Sequence, residues 1–213
     1  MPESVKPNPD DALVVRTTPT QARAQDRVNV LLDAAATIIN EHGCELLTTH
    51  DVAVVVGCSI GTVYRYFPDR LAILQHLALR NRSSFKEDCI DTIDAHTHHT
   101  PRDAVRYAFQ SYATAFRSQP GFRSLRFGDL IDARPLLTAQ GGIALTAADL
   151  AVRIQLSYPQ SESAVLKSGL GELLDVQLTI FDALLARAFA RDDNGDPKLV
   201  GAAHNAMSDY SFI

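Results

Sequence analysis

Thr48-Thr49-His50-Asp51-Val52-Ala53-Val54-Val55-Val56-Gly57-Cys58-Ser59-Ile60-Gly61-Thr62-Val63-Tyr64-Arg65-Tyr66-Phe67-Pro68-Asp69-Arg70 reads as two short helices joined by a tight corner. The Thr48 hydroxyl suits an N-cap, since it can accept from a free amide of the first helical turn. Val52, Ala53 and Val56 recur at the spacing of one helix face. Gly57 supplies the permissive backbone that ends a helix and turns the chain. Ser59 can cap the second helix, and Val63 with Tyr66 or Phe67 forms its inner face. Pro68 disfavours helical geometry at the residue before it. Small Ala53 permits a close crossing, with Cys58 and Val63 filling the angle.

This is the pattern of a helix-turn-helix, whose second helix enters the DNA major groove. The outward residues of that helix are Ile60, Gly61, Thr62, Tyr64 and Arg65, flanked by Ser59 and Tyr66. Arginine can donate twice to guanine or pair with phosphate, while Thr and Tyr reach phosphate oxygens. Thr49 and His50 open the first of the two helices, where free amides and the dipole attract phosphate. Arg70, just past the turn, is expected on the DNA backbone.

The segment from Thr62 to Arg70, with the Thr48-Thr49 opening, Ala53 and Gly57 at their spacings, the aromatic-rich helix ending in Phe67 and the basic Arg70, resembles the TetR (tetracycline-repressor) family. The resemblance is strong over residues 20–75 and weak beyond them. His50 stands where Arg or a small polar residue is more usual, and Leu71 where an acid is more usual. The resemblance implies an all-α fold: an N-terminal three-helix DNA-binding domain, then a C-terminal helical domain for ligand binding and dimerisation. It further implies a cytoplasmic homodimer that binds a double-stranded DNA operator as a repressor and leaves it when a small-molecule effector binds. An activator, or a regulator without a ligand, is the alternative.

A rival reading uses the same residues. Gly57-Cys58-Ser59-Ile60-Gly61 matches the G-x-S-x-G elbow of serine hydrolases, with Ser59 as nucleophile, and the valines before it could form a strand. An Asp and the late His204 even follow in the right order. The elbow requires a sheet already half built, and the preceding residues hold neither strands nor an oxyanion-hole motif, so no enzyme is expected.

The chain has 213 residues and a formal net charge of −5, room for a small and a larger domain. Six arginines and six acids lie between Arg16 and Arg80 and cancel. DNA binding must then rest on a few placed cations, with a modest salt dependence. The three cysteines, Cys44, Cys58 and Cys89, are spread too widely for a disulfide framework and fit a reducing cytoplasm. No run is long and apolar enough for a membrane span. No cofactor motif is present, and His96-Thr97-His98-His99 lacks Cys or carboxylates at ligand spacing, so it reads as a solvated loop rather than a metal site.

Residues 1–18 carry three prolines and no apolar period, the pattern of a flexible arm. The DNA-binding domain is assigned to residues 19–68 and the ligand-binding and dimerisation domain to 69–213. A bracing helix runs from Pro19 or Thr20 to His42 before Gly43. Beyond the helix-turn-helix, Asp69 caps a helix reaching about Asp94, and Thr100-Pro101-Arg102-Asp103 starts one ending at Ser118. A short sixth helix is expected from Phe122 through Ile131, ended near Arg134-Pro135, a seventh from Ala139 or Leu145 to Tyr158, an eighth from Ser163 to Arg191 and a ninth from Pro197. Tyr107, Tyr112, Phe116, Phe122 and Phe127 are the candidate effector contacts; ordinary core packing is the competing explanation. The last two helices show more apolar face than one core requires, so Leu174, Phe181, Leu185, Met207 and Tyr210 are expected at a dimer seam.

Overall fold

The computed structural model describes residues 19–95, 100–127, 141–159, 168–190 and 192–208. Its described residues form helices and turns, with no strand. In chain order the helices are α1 (Pro19–His42), α2 (Thr49–Val56), α3 (Ile60–Tyr66), α4 (Arg70–Ala95), α5 (Pro101–Ser118), α6 (Phe122–Leu125), α7 (Gly141–Ser157), α8 (Leu170–Ala188) and α9 (Pro197–Ser208). A 3-10 turn, Cys44–Leu46, which sequence reading missed, joins α1 to α2.

Two hydrophobic cores organise these helices. The first collects Leu31, Leu32, Ala35, Ile38 and Ile39 of α1 with Leu47, Val52, Ala53, Val63 and Phe67. It also takes Ile73, Leu74, Leu77 and Ala78 from the first half of α4, so it extends past the expected domain boundary at residue 68. The second core holds Phe85, Cys89 and Ile93 from the far half of α4, together with apolar faces of α5, α7, α8 and α9. One uninterrupted 26-residue helix thus contributes to both.

The α5–α6 corner also joins the cores. Leu125 inserts into the first, while Phe122, one turn earlier, packs in the second. Gly121 sits at φ 74°, and a Cβ there would lie 3.2 Å from the Ala36 carbonyl oxygen and 3.3 Å from its Cα. Glycine is required for both reasons: positive φ and backbone-to-backbone approach against α1.

Three expected helices differ in extent. Helix α6 is a single turn, because Arg126 adopts φ 48° and ends it; Leu130 and Ile131 lie outside the described residues. Helix α8 begins at Leu170, after the non-helical Gly169, and stops at Ala188 instead of Arg191. Helix α7 starts at Gly141, between the two expected positions. The proposed N-terminal arm and the His96–His99 stretch lie outside the described residues.

Candidate nucleic-acid interface

The α2–α3 corner is held by local hydrogen bonds. Thr48 Oγ1 accepts from the Asp51 amide at 3.1 Å and donates to Asp51 Oδ2 at 2.6 Å, so cap and first-turn acid secure one another. Gly57 takes the left-handed conformation (φ 67°, ψ 39°). The Cys58 amide then donates to the Ala53 carbonyl at 2.9 Å and the Gly57 amide to Val54 at 3.1 Å, the paired bonds of a Schellman ending. Ser59 caps α3 by accepting from the Thr62 amide at 3.3 Å, and its hydroxyl lies 3.0 Å from Thr62 Oγ1. Asp69 Oδ1 accepts from the Ala72 amide at 2.8 Å and starts α4.

Val63 and Phe67 are the inward anchors of α3, at 0% and 1% exposure; Tyr66 packs half-buried against the same core. The opposite face is free. Ile60, Gly61, Tyr64 and Arg65 are exposed and Thr62 half-buried. Tyr64 Oη lies 3.4 Å from Thr49 Oγ1, which links the exposed edge of α3 to the start of α2. His50 is exposed beside Thr49, with Nδ1 3.7 Å from Asp51 Oδ1. Arg65 has no ion-pair or hydrogen-bond partner among the described residues. A Cβ on Gly61 would meet only Ser59 Oγ, at 3.9 Å, so the chain's own packing leaves this position open. Arg70, expected on DNA, has a role inside the protein: Nη1 donates to the Glu45 carbonyl at 2.9 Å and ties α4 to the 3-10 turn.

The elbow reading of Ser59 is overturned by this geometry. Val52–Val56 is helical, not a strand, and the Ser59 hydroxyl caps α3. His204 sits on α9, where Nδ1 pairs with the Val200 carbonyl at 2.8 Å and the ring stacks edge-on against Phe181 at 5.5 Å.

In the second core, Tyr112, Phe122 and Phe127 are fully buried and Phe116 nearly so. They pack ring against ring: Tyr112 lies 5.5 Å from Phe122 and 5.6 Å from Phe127, and Phe116 lies 5.8 Å from Phe122. These rings fill one another's space instead of lining an open chamber. Tyr107 is half-buried, with the Arg106 guanidinium 5.5 Å from its ring centre. One polar knot interrupts the aromatic cluster. Tyr112 Oη donates to Asp182 Oδ1 at 2.6 Å, and Arg126 Nη1 lies 3.3 Å from Asp182 Oδ2. Asn81 of α4 donates to the Arg126 carbonyl at 3.0 Å, so the knot reaches the helix shared with the α1–α3 unit, the reading head. Sequence reading missed Arg126, Asp182 and Asn81, which lie far apart in the chain.

Three of the residues expected at a dimer seam are used inside the subunit. Leu174, Phe181 and Leu185 are fully enclosed by the protein's own helices, so the broad apolar face of α8 is used within the subunit. Exposed apolar side chains on this side are Val152 and Leu156 of α7 and Val176 of α8. The Met207 side chain and Tyr210 lie outside the described residues.

Two family models match the chain. "Bacterial regulatory proteins, tetR family" covers residues 31–77, and "Tetracyclin repressor-like, C-terminal domain" covers residues 99–212. Among solved structures, a TetR-family transcriptional regulator from Streptomyces coelicolor is 24% identical with a TM-score of 0.70, over 85% of this chain and 95% of that one. The regulator PfmR from Thermus thermophilus is 19% identical with a TM-score of 0.56, over 84% and 94%. The fatty acid degradation regulator FadR from Bacillus halodurans is 14% identical with a TM-score of 0.64, over 88% and 97%. At these identities the likeness speaks for the fold alone. Among curated proteins, none matches.

Proposed function

The chain belongs to the TetR family of DNA-binding transcriptional regulators, and we propose that it acts as a cytoplasmic homodimeric repressor, released from a near-palindromic operator by a small-molecule effector. The observation that carries this reading is the exposed face of α3. Ile60, Gly61, Tyr64 and Arg65 stand outward on a helix fixed at both ends by Ser59 and Phe67. A two-fold pair of such helices reads two half-sites one DNA turn apart.

Arg65 is the base-reading or phosphate-pairing cation. Thr49, His50, Ser59, Thr62 and Tyr64 meet the backbone, and Tyr66 and Arg70 support them. The absence of a Cβ at Gly61 lets the duplex approach closely. The effector enters the second core by displacing part of the Tyr112, Phe116, Phe122 and Phe127 cluster, with Tyr107 at its margin. Such a ligand releases DNA only if it favours the subunit arrangement that misfits the operator. The helices α7 to α9 supply the dimer contact.

The experiment is selection from a random duplex library followed by titration at several salt concentrations. Enrichment of an inverted repeat is the expected result; no sequence preference at any salt ends the proposal.

A further inference from the structure

A groove of about 480 Å³ lies at the junction of the two cores, with Phe116 at the edge of the aromatic cluster in its wall. Its walls come from three places: Asn40 of α1, the α5–α6 corner from Phe116 to Ser124, and the end of α8 with the loop at Asp193. Its size falls within the range of metabolite sites.

Arg123 is the fixed cation of the groove. Its Nε donates to the Phe116 carbonyl at 2.6 Å, and its guanidinium lies 4.6 Å from the Phe189 ring centre. Nη1 and Nη2 then reach Asp193, at Oδ1 and the carbonyl oxygen, each at 2.7 Å. The two ends of this ion pair differ sharply: the Arg123 side chain is 26% exposed and that of Asp193 is 97% exposed. The guanidinium is held in place while the carboxylate is solvated, so the pair is weak and readily exchanged. Arg117, in the last turn of α5, lines the same groove and has no carboxylate partner among the described residues. Two arginines against one acid leave the groove with a surplus positive charge. Pro120, Ala186 and Phe189 provide apolar wall beside them.

We infer that this groove binds a small organic acid, whose carboxylate replaces Asp193 on Arg123 and is drawn by Arg117, and whose carbon body lies along Phe189, Ala186 and Pro120. The chain's own Asp193 shows that the Arg123 fork accepts a carboxylate at this place. Because Asn40 belongs to α1, the occupant touches the reading head and the second core together. The site adjoins the effector region proposed above at Phe116, opens on its other side, and stands on the groove geometry alone.

Calorimetric titration of the full-length protein with phenylacetate tests this, with phenylacetamide and inorganic phosphate as controls. Saturable millimolar binding of phenylacetate and none of the amide is the expected result. Asp193→Asn removes the competing carboxylate and tightens binding roughly twofold to fivefold, and Arg117→Gln weakens it by a similar factor, the scale of exposed ion pairs. Both residues are exposed, so neither substitution threatens the fold. The inference is overturned by the absence of phenylacetate binding, by equal binding of phosphate, or by affinities that ignore both substitutions.

Discussion

Replacing Asp182 by Asn strands a charge. The Arg126 side chain is 6% exposed and that of Asp182 is 13% exposed, so their 3.3 Å ion pair lies largely out of water. The asparagine carbonyl can still accept from Tyr112, so the substitution isolates the ion pair from the hydrogen bond beside it. Breaking a buried pair from one side costs about 3–5 kcal/mol, because the remaining charge has neither water nor partner. Against a total stability of about 5–15 kcal/mol, that is a large fraction. At about 2–4 °C per kcal/mol for a protein of this size, the midpoint of thermal unfolding should fall by about 6–20 °C. Urea denaturation followed by circular dichroism gives the same quantity independently. The double variant Asp182→Asn with Arg126→Met removes the stranded charge, and should regain most of the loss. Met is no worse than Arg at φ 48°, since both carry a Cβ. A cost below about 1 kcal/mol for the single variant, the level of a surface pair, would refute the argument. So would a double variant no more stable than the single one.

Arg65→Ala should weaken operator binding by about 1–3 kcal/mol and relax preference at one base if Arg65 reads guanine; a uniform loss across sequences marks a phosphate contact instead. Gly61→Ala should leave the melting temperature unchanged or slightly raised, since a Cβ there meets only Ser59 Oγ at 3.9 Å, while operator affinity in a gel-shift assay drops. Burial pushes the Cys89 thiol from 9.0 up to about 12, so iodoacetamide at pH 8 should spare it in the folded protein, as mass spectrometry of the peptides would show. Unfolding lowers that value, so the folded state holds the extra proton. The contribution of Cys89 to stability is therefore complete below pH 9 and is lost as pH rises towards 12, which a series of denaturation curves would detect.

The reading head was legible because its chemistry is local. Thr48, Ser59 and Asp69 each cap a helix from within three residues, and Gly57 turns the chain through its own backbone. The second core was less legible because its decisive contacts are distant in sequence. The shortness of α6 depends on Arg126 taking a positive φ, with its carbonyl held by Asn81. No periodicity announces that. Apolar width is ambiguous for the same reason: the stripe of Leu174, Phe181 and Leu185 can be covered by a second subunit or by neighbouring helices. Only the three-dimensional arrangement shows that α5, α7 and α9 cover it. The aromatic residues of α5 and α6 were found, yet a ring that fills a core and a ring that lines a chamber have the same spacing.

The single turn of α6 has a thermodynamic consequence. Leu125 and Phe122 are three residues apart on one rigid turn, yet they are seated in different cores, and Gly121 locks that turn against Ala36. Neither half can melt while the other keeps its packing intact, because the same four residues would have to be in and out of place at once. Heating should therefore take the N-terminal and C-terminal halves apart in one cooperative step, and a lesion at this corner would uncouple them into two.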